Sequence, residues 1–330
     1  MALESNKKYN SPVKATLTGI SNLFKNKERV DNLSEKDRLE GKKVLITGSS
    51  SGLGLATAKQ VAKLGAEVIM AVRSGIPEKG EEVKRASSSE KVFMHHVDLS
   101  DFSSIENLVH EVKSKYGTID IVICNAAVVA SKARKTKAGL EEMFMVNYLS
   151  TYYMLRLMLT QGLLQNDAPI PTRIIIVNSE SHRDPKEFDW PSFGKFEPFT
   201  MSKTVQLYGY YKLLLATFAW ELSLRLNQEK VNTSVFALCP GPVNSNIARE
   251  APSLFKPLLK VVFGIFFSSP LKASEPVVYF AASSEVETKP FDYLFLMQRK
   301  ELDEKAMDPD NGKKLWNLSE ELIHDLGIKL

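Results

Sequence analysis

The sequence contains few of the residues that build disulfide bonds and metal sites. Among its 330 residues are two cysteines, Cys124 and Cys239, and five histidines. Two cysteines cannot form a disulfide framework, and such scarcity is typical of proteins from a reducing compartment. No C-x-x-C or H-E-x-x-H pattern is present, so the sequence gives little support for a metal site. We therefore expect an intracellular protein that holds no metal.

Long hydrophobic runs are missing as well. The first residues, MALESNKKYNSPVKATLTG, contain no apolar core of the kind that marks a secretory signal. The most apolar later stretch, residues 254–267, is interrupted by Lys256, Pro257 and Lys260 and is shorter than the roughly 20 residues of a membrane-spanning helix. We expect no secretion, no transmembrane helix, and a location in the cytoplasm or at a membrane surface.

An excess of one charge is confined to the start of the chain. The net charge is +4, and residues 1–43 hold ten basic and six acidic residues, which accounts for the whole excess. Nucleic-acid binding needs a localised cationic surface, so the formally neutral remainder argues against a nucleic-acid partner. Since 44% of the residues are hydrophobic, the chain can form a sizeable core.

From Lys43 onward, short runs of β-branched residues alternate with longer amphipathic stretches. This pattern predicts a parallel sheet covered by helices on both faces. We predict a single α/β domain over residues 43–300, preceded by a polar, basic extension at 1–42 and followed by a helical tail at 301–330. The strand-like runs are Val44–Thr47, Val68–Val72, Val92–Val97, Ile119–Cys124, Ile174–Asn178, Asn232–Leu238 and Tyr293–Leu296.

A glycine-rich turn, Thr47–Gly54, follows the first predicted strand and precedes a predicted helix. Glycines let the chain turn tightly and admit a pyrophosphate against the backbone, while the helix N-terminus offers free N–H groups to the phosphates. An ordinary strand–turn–helix connection is the alternative, but the flanking elements favour a dinucleotide site. Its candidate residues are Gly48, Ser50, Ser51, Gly52, Leu53 and Gly54.

The end of the next strand indicates which dinucleotide is bound. A site that prefers NAD usually places an acid there, against the ribose 2′-hydroxyl. Here the strand ends in Val72 and is followed by Arg73, which can pair with a 2′-phosphate. We therefore predict NADP(H), although a solvated arginine at a strand end is the simpler alternative.

Tyr208 and Lys212 lie four residues apart in a helix-like segment, so their side chains share one face. A tyrosine is a poor base near neutrality, but a nearby ammonium group lowers its pKa, and the same lysine can hold the nicotinamide ribose. Ser179 ends a predicted strand, at the edge where parallel sheets bind ligands, and its hydroxyl can stabilise a developing alkoxide. Ser181 is the competing hydroxyl. Together with the cofactor motifs upstream, these residues predict hydride transfer with Tyr208 as acid or base. An exposed helix pair for Tyr208 and Lys212, and a serine that only caps a turn, are the alternatives.

Six short motifs follow one another along the chain: TGSSSGLG at 47–54, VDLSD at 97–101, CNAA at 124–127, NSESH at 178–182, YGYYK at 208–212 and PGPVNS at 240–245. With them the sequence resembles the short-chain dehydrogenase/reductase family, and most of all its retinol-dehydrogenase-like branch. Relatives of protochlorophyllide reductase are also similar. The resemblance implies a Rossmann-type, doubly wound sheet of about seven parallel strands.

The resemblance also implies roles for single residues. Asn147 matches the family asparagine that holds a water between the lysine and solvent, although a buried amide that only satisfies backbone groups is the alternative. Asp98 has an alternative as the cap of a helix starting near Phe102. The implied cofactor contacts are Asp98 and Leu99 beside the adenine, Asn125 and Ala126 beneath the cofactor, and Pro240, Gly241 and Val243 along the nicotinamide.

Three features depart from the family pattern. Tyr211 stands where a serine commonly precedes the lysine, which puts a large ring near the cofactor. Ala127 replaces a glycine of the asparagine motif. Ser179 and Tyr208 are unusually far apart, and the aromatic insert between them is expected to form a wall of the substrate pocket.

By the same resemblance, residues 246–272 form a lid over the substrate. The stretch 254–267 contains four phenylalanines and no acid, which suggests an apolar substrate and contact with a membrane surface, or else a helix buried in the core. We expect an NADP(H)-dependent oxidoreductase that interconverts a carbonyl and an alcohol on a retinoid- or steroid-like molecule, with homo-oligomerisation left open. A protochlorophyllide-reductase-like enzyme and a catalytically weak NADP(H)-binding scaffold remain alternatives.

Overall fold

The computed structural model describes residues 29–164, 170–241 and 269–330. Val243, residues 1–28 and most of the expected lid lie outside these ranges. The strands are β1 (Lys43–Thr47), β2 (Glu67–Val72), β3 (Val92–His96), β4 (Ile121–Cys124), β5 (Thr172–Val177), β6 (Thr233–Cys239), β7 (Phe291–Phe295) and β8 (Gln298–Arg299). The α-helices are α1 (Gly52–Lys63), α2 (Glu78–Ser87), α3 (Phe102–Tyr116), α4 (Glu142–Phe144), α5 (Ser150–Thr160), α6 (Met201–Gln228), α7 (Pro270–Ala273), α8 (Glu275–Ala282), α9 (Glu304–Met307) and α10 (Pro309–Asp325).

The strands of the described residues form one sheet in the order β3-β2-β1-β4-β5-β6-β7-β8. All neighbouring pairs are parallel except β7 and β8, which are antiparallel. The predicted Rossmann-type sheet is therefore confirmed, and each of the seven predicted strands is present. The eighth strand was not predicted because its two residues are too few to show a periodic pattern.

The central strands are buried on both faces, which explains their continuous runs of β-branched residues. In β5, Ile174 and Ile176 pack into the core on one face of the sheet, with side chains of α3, α5 and α6. Ile175 and Val177 point to the other face and pack with residues of α1 and α8. This two-sided burial fixes the strand ends, and with them the loops at the carboxyl edge.

The described part of each predicted extension packs against the sheet domain. Val30 and Leu39 are buried, and the Val30 amide donates to the Met297 carbonyl across 2.9 Å. The expected C-terminal helix is α10, which starts at Pro309 because the Asp308 carboxylate caps its first turn. Trp316 of this helix packs on aromatic side chains of α5 and α6. Near the predicted bounds at residues 42 and 301, the described residues on both sides therefore pack together.

None of the described helices combines the length and the apolar character that crossing a bilayer would require.

Candidate active site

Four connections meet at the carboxyl edge of the sheet, where open α/β sheets bind their ligands. They follow β1, β4, β5 and β6, which are adjacent in the sheet. The order of the strands therefore places the glycine-rich turn beside the Asn125–Ala126 loop, and Ser179 beside Pro240 and Gly241.

The glycine-rich turn folds tightly against the loop after β4. Gly48 has φ +67°, and a Cβ added there would lie 2.8 Å from the Ala126 Cα. The Asn125 side-chain amide donates to the carbonyls of Thr47 and Gly48 across 3.0 and 3.2 Å. The Thr47 hydroxyl in turn accepts from the Asn125 and Ala126 amides. These bonds give Asn125 and Ala126 a direct part in holding the turn.

The N-terminus of α1 fits an anionic group. Its N-cap residue, Ser51, makes no side-chain capping bond, and no acidic residue lies in the first turn. Free N–H groups and the positive end of the helix dipole are what a pyrophosphate requires. Around this helix start, Ser50 and Gly52 are half-buried, and Leu53 is buried. The residues present therefore fit the dinucleotide predicted from the sequence.

Replacing Gly54 by alanine is expected to weaken dinucleotide binding and to lower Tm. An added Cβ would lie 2.5 Å from the Gly48 carbonyl oxygen and from the Asn125 amide nitrogen, so the turn must shift. Overpacking of this kind costs about 1–3 kcal/mol. Gly139→Ala is the control, because Gly139 has φ +81° but open space around its Cα. It should lower Tm through backbone strain while dinucleotide affinity, measured by fluorescence titration, stays unchanged.

Arg73 and Asp98 lie near each other beyond the ends of β2 and β3. Arg73 is exposed, and no hydrogen-bond partner for it occurs in the part of the chain that the structure describes. Burial acts to raise the pKa of Asp98, but bonds from Ser100 and the charge of Arg73 outweigh it, so this pKa is lowered. Leu99 beside it is buried.

The cap of α3 decides between the two explanations of Asp98. The helix is capped by Asp101, which accepts from the Ser103 amide. The Asp98 carboxylate instead accepts from the amide and hydroxyl of Ser100 across 2.9 and 2.7 Å. The explanation of Asp98 as a helix cap is therefore wrong.

Ser179 starts the 3₁₀-helix Glu180–Arg183. Its Oγ accepts from the Ser181 amide across 3.3 Å and from the Ser181 hydroxyl across 2.9 Å. Because a hydroxyl has two acceptor sites and one donor, these bonds leave the Ser179 proton to be donated. The same side chain is hydrogen-bonded to Tyr208. The competing hydroxyl, Ser181, thus supports Ser179 instead of replacing it.

Tyr208 and Lys212 lie one turn apart on α6. The Lys212 Nζ is 5.8 Å from the centroid of the Tyr208 ring and donates to the Val177 carbonyl across 3.0 Å. Tyr208 is half-buried and Lys212 is 2% exposed. The structure therefore brings together the three residues that the sequence assigns to proton transfer.

The pKa values at this site are set mainly by burial. Burial raises the pKa of Tyr208, as does Cys239, and the hydrogen bond with Ser179 opposes this without reversing it. Burial also lowers the pKa of Lys212 to about 8. The pKa of Tyr208 is therefore raised, whereas the sequence predicted that the lysine would lower it, because burial of the phenol is the largest influence on this group.

Asn147 is 1% exposed and lies in the π-helical turn Met145–Leu149 between α4 and α5. Its Oδ1 accepts from the Val128 amide, and its Nδ2 donates to the Val128 carbonyl, both across 2.8 Å. The side chain thus satisfies backbone groups, which is the simpler of the two explanations. Its role in holding a water stays a prediction.

Gly241 adopts φ +75°, and a Cβ there would lie 2.6 Å from a Leu296 methyl carbon. Pro240 before it is buried. Contacts of Pro240 and Gly241 with a nicotinamide stay predictions, as does the contact of Val243, which lies outside the described residues.

The aromatic residues that depart from the family pattern pack among the helices. Tyr211 is buried, lies 5.8 Å from the Phe144 ring between centroids, and is hydrogen-bonded to Glu141. Phe193 of the insert packs edge-on against Phe144 at 5.3 Å. Tyr211 and part of the insert are therefore joined in one aromatic cluster.

Two residues near the site were not singled out from the sequence. The Cys239 thiol is close enough to affect the pKa values of both Tyr208 and Lys212. His182 is completely buried and hydrogen-bonded to the Ser179 carbonyl across 2.7 Å. The position of His182, three residues after Ser179, was the one sequence signal that could have indicated this contact.

Comparison with known proteins agrees with this geometry. A family profile described as short chain dehydrogenase matches residues 42–189. The chain is 32% identical to retinol dehydrogenase 14 of Homo sapiens, over 86% of this chain and 87% of that protein. It is 29% identical to retinol dehydrogenase 13 of Mus musculus, over 94% and 92% of the two chains.

A solved structure shows the same fold. The Pseudomonas aeruginosa RhlG/NADP active-site complex is similar with a TM-score of 0.62 and 19% identity, over 80% of this chain and 98% of that chain. The matched sequences and the site residues at the carboxyl edge of the sheet indicate the same family. The chain is an oxidoreductase of the short-chain dehydrogenase/reductase family, in its retinol-dehydrogenase-like branch.

Proposed function

We propose that the protein uses NADP(H) to interconvert a carbonyl and an alcohol on a lipophilic substrate, with Tyr208 as the acid or base. The observation that supports this most directly is the cluster of Ser179, Tyr208 and Lys212 at the carboxyl edge of the same sheet that carries the glycine-rich turn. The hydroxyls of Ser179 and Tyr208 are hydrogen-bonded to each other at the carboxyl edge of the sheet, where a substrate oxygen can be held between them.

The reduced nicotinamide supplies the hydride for the substrate carbon. Tyr208 donates its proton to the substrate oxygen, and its raised pKa keeps that proton in place at neutral pH. Ser181 occupies both acceptor sites of Ser179, so the one proton of this hydroxyl is donated to Tyr208 in the free protein. When the substrate is bound, this proton turns to the substrate oxygen and donates to it. Lys212 adds a buried positive charge that stabilises negative charge developing on the oxygen during oxidation of an alcohol.

The preference for NADP(H) rests on Arg73. Its guanidinium group is exposed just beyond β2, close enough to lower the pKa of Asp98. No carboxylate occupies the end of this strand, where a site that prefers NAD places an acid. The acid that interacts with Arg73 is Asp98, beyond the end of β3, and a 2′-phosphate would pair with the cation on the exposed side of Arg73. RhlG, which shares the fold, is described in complex with NADP.

Replacing Arg73 by alanine is expected to raise the Kd for NADPH about 10- to 100-fold, as the loss of one charge-assisted pair with a phosphate predicts. The Kd for NADH should change less than threefold, because NADH has no 2′-phosphate. Both values can be measured by nucleotide fluorescence titration, with exposed Arg85→Ala of α2 as the control. An equal loss for the two nucleotides would contradict the proposed role of Arg73.

The lipophilic substrate is supported by sequence and by relatives. The chain matches proteins named retinol dehydrogenase, and the expected lid contains the apolar stretch 254–267. The aromatic insert adds a stacked pair, Phe188 and Trp190, with ring centroids 4.4 Å apart. Contact of the lid with a membrane and homo-oligomerisation are part of the same proposal.

A panel of carbonyl compounds tests the proposal. NADPH oxidation is followed with retinal-like, steroid-like and short polar aldehydes or ketones of graded apolar area. We expect kcat/KM to rise with apolar area. Turnover of the polar compounds alone would overturn the substrate class, and tight NADPH binding without turnover of any carbonyl would favour a scaffold instead of an enzyme.

A further inference from the structure

We propose that His182 is a positioning residue that holds the catalytic Ser179 in place, and that it connects this serine to residues 293–303, the C-terminal segment that runs from β7 to the start of α9. The inference rests on the proposed role of Ser179 in binding the substrate oxygen. It concerns a residue that touches neither the substrate nor the cofactor.

His182 binds the carbonyl of Ser179 in two ways. The His182 backbone amide donates to that oxygen across 3.1 Å, and the ring Nδ1 lies 2.7 Å from it. On the other side of the serine, the Asn178 amide donates to the Leu238 carbonyl across 2.7 Å, and the Val177 carbonyl accepts from Lys212. The backbone around Ser179 is thus fixed from the sheet on one side and from His182 on the other.

The second ring nitrogen of His182 contacts the C-terminal segment. The Asp303 amide lies 3.1 Å from Nε2. Because a carbonyl only accepts and a backbone amide only donates, Nδ1 must carry the proton and Nε2 must accept. The ring is completely buried, and burial lowers its pKa to about 4, so this neutral form is retained at neutral pH. The tautomer is therefore fixed by contacts on both sides.

Other bonds hold the C-terminal segment against the same 3₁₀-helix. The Glu180 carboxylate accepts from the Tyr293 hydroxyl across 2.6 Å and from the Lys300 amine. The Arg183 guanidinium donates to the Glu301 carbonyl. These contacts keep the segment beside His182, so the ring has a fixed support from which to hold the serine.

Loss of the bond from the His182 ring would affect catalysis by changing the position of Ser179. Without the Nδ1–H bond, the Ser179 carbonyl retains only the backbone amide of His182, and the peptide is freer to rotate. Rotation moves Oγ away from the substrate oxygen, and a misplacement of about 1 Å can reduce a rate about 100-fold. The effect should fall on kcat, since the cofactor contacts of the glycine-rich turn are elsewhere.

Two near-isosteric variants separate the two ring contacts. In His182→Asn, the side-chain amide nitrogen can take the place of Nδ1 and keep the bond to Ser179. In His182→Gln, the longer side chain reaches the Asp303 amide with its oxygen, and the donor to Ser179 is lost. We expect kcat within about threefold of wild type for asparagine and about 10- to 100-fold lower for glutamine, with KM for NADPH unchanged in both. Equal losses in the two variants, or a loss only in KM, would overturn the inference.

His182→Gln in a Ser179→Ala background tests whether His182 affects kcat through the serine. If it does, His182→Gln lowers kcat there by less than about twofold, because coupled residues are not additive. A full additional loss would overturn the positioning role. If Ser179→Ala alone leaves kcat unchanged, the proposed role of the serine is wrong. That outcome differs from equal losses in the two His182 variants, which contradict only the proposed role of His182.

Wild-type protein provides a measurement that does not depend on the folding of variants. The ¹⁵N spectrum of the His182 ring at pH 7 should show a protonated Nδ1 and an unprotonated Nε2. The opposite tautomer or a doubly protonated ring would overturn the proposal.

Discussion

Replacing Tyr208 by phenylalanine is expected to lower kcat/KM for carbonyl reduction by about 10²- to 10⁴-fold, the range typical of a positioned general acid. The substitution removes only the hydroxyl, which is hydrogen-bonded to Ser179 and lies one helical turn from Lys212. The ring remains to fill its half-buried position, so the fold and NADPH affinity should be retained. Steady-state NADPH oxidation and a fluorescence titration of NADPH measure the two quantities separately.

Tyr210 offers a matched control two residues further along α6. Its hydroxyl donates to the Asp189 carbonyl across 3.0 Å, away from Ser179 and Lys212. Tyr210→Phe removes the same atom at about the same helix position and should change kcat/KM less than threefold. Similar losses in both variants would show that Tyr208 acts through packing, and an unchanged rate in Tyr208→Phe would exclude it as the proton donor.

The fold was predictable where local patterns report burial. The strands β4 and β5 are runs of apolar and β-branched residues because both faces of the sheet are covered. The sequence does not predict helix α2, because its ten residues, EKGEEVKRAS, contain one large apolar side chain, Val83. So weak a pattern does not distinguish a surface helix from a loop. Packing against α1 and β3 determines this element instead.

The candidate site was predictable to the extent that its residues form short motifs. The glycine-rich turn and the Tyr208/Lys212 pair depend on spacing within one element, which the sequence displays directly. The contact between His182 and Asp303 joins residues 121 positions apart, and no local pattern indicates it. The direction of the Tyr208 pKa also depends on burial by distant residues, so the expected effect of the lysine was not found.

Replacing Lys212 by methionine should impair activity and change how stability depends on pH. The lysine is 2% exposed, and burial lowers its pKa from 10.5 to about 8. Without its charge, the site no longer stabilises the substrate oxygen, and we expect kcat/KM to fall at least 100-fold. Lys203→Met, at an exposed position near the start of the same helix, is the control and should be active.

The pH dependence follows from proton binding in the two states. Between pH 8 and 10.5 the unfolded chain keeps the Lys212 proton while the folded chain has lost it, so the unfolding free energy of the wild type rises with pH. This pKa difference corresponds to about 3 kcal/mol. Lys212→Met lacks this group, so denaturant titrations at pH 7.5 and 10 should show wild type gaining about 2–3 kcal/mol relative to the variant. Parallel behaviour of the two proteins would mean that Lys212 is solvated in the folded state. In that case its charge would be screened by water, and the lysine would have little electrostatic effect on the substrate oxygen.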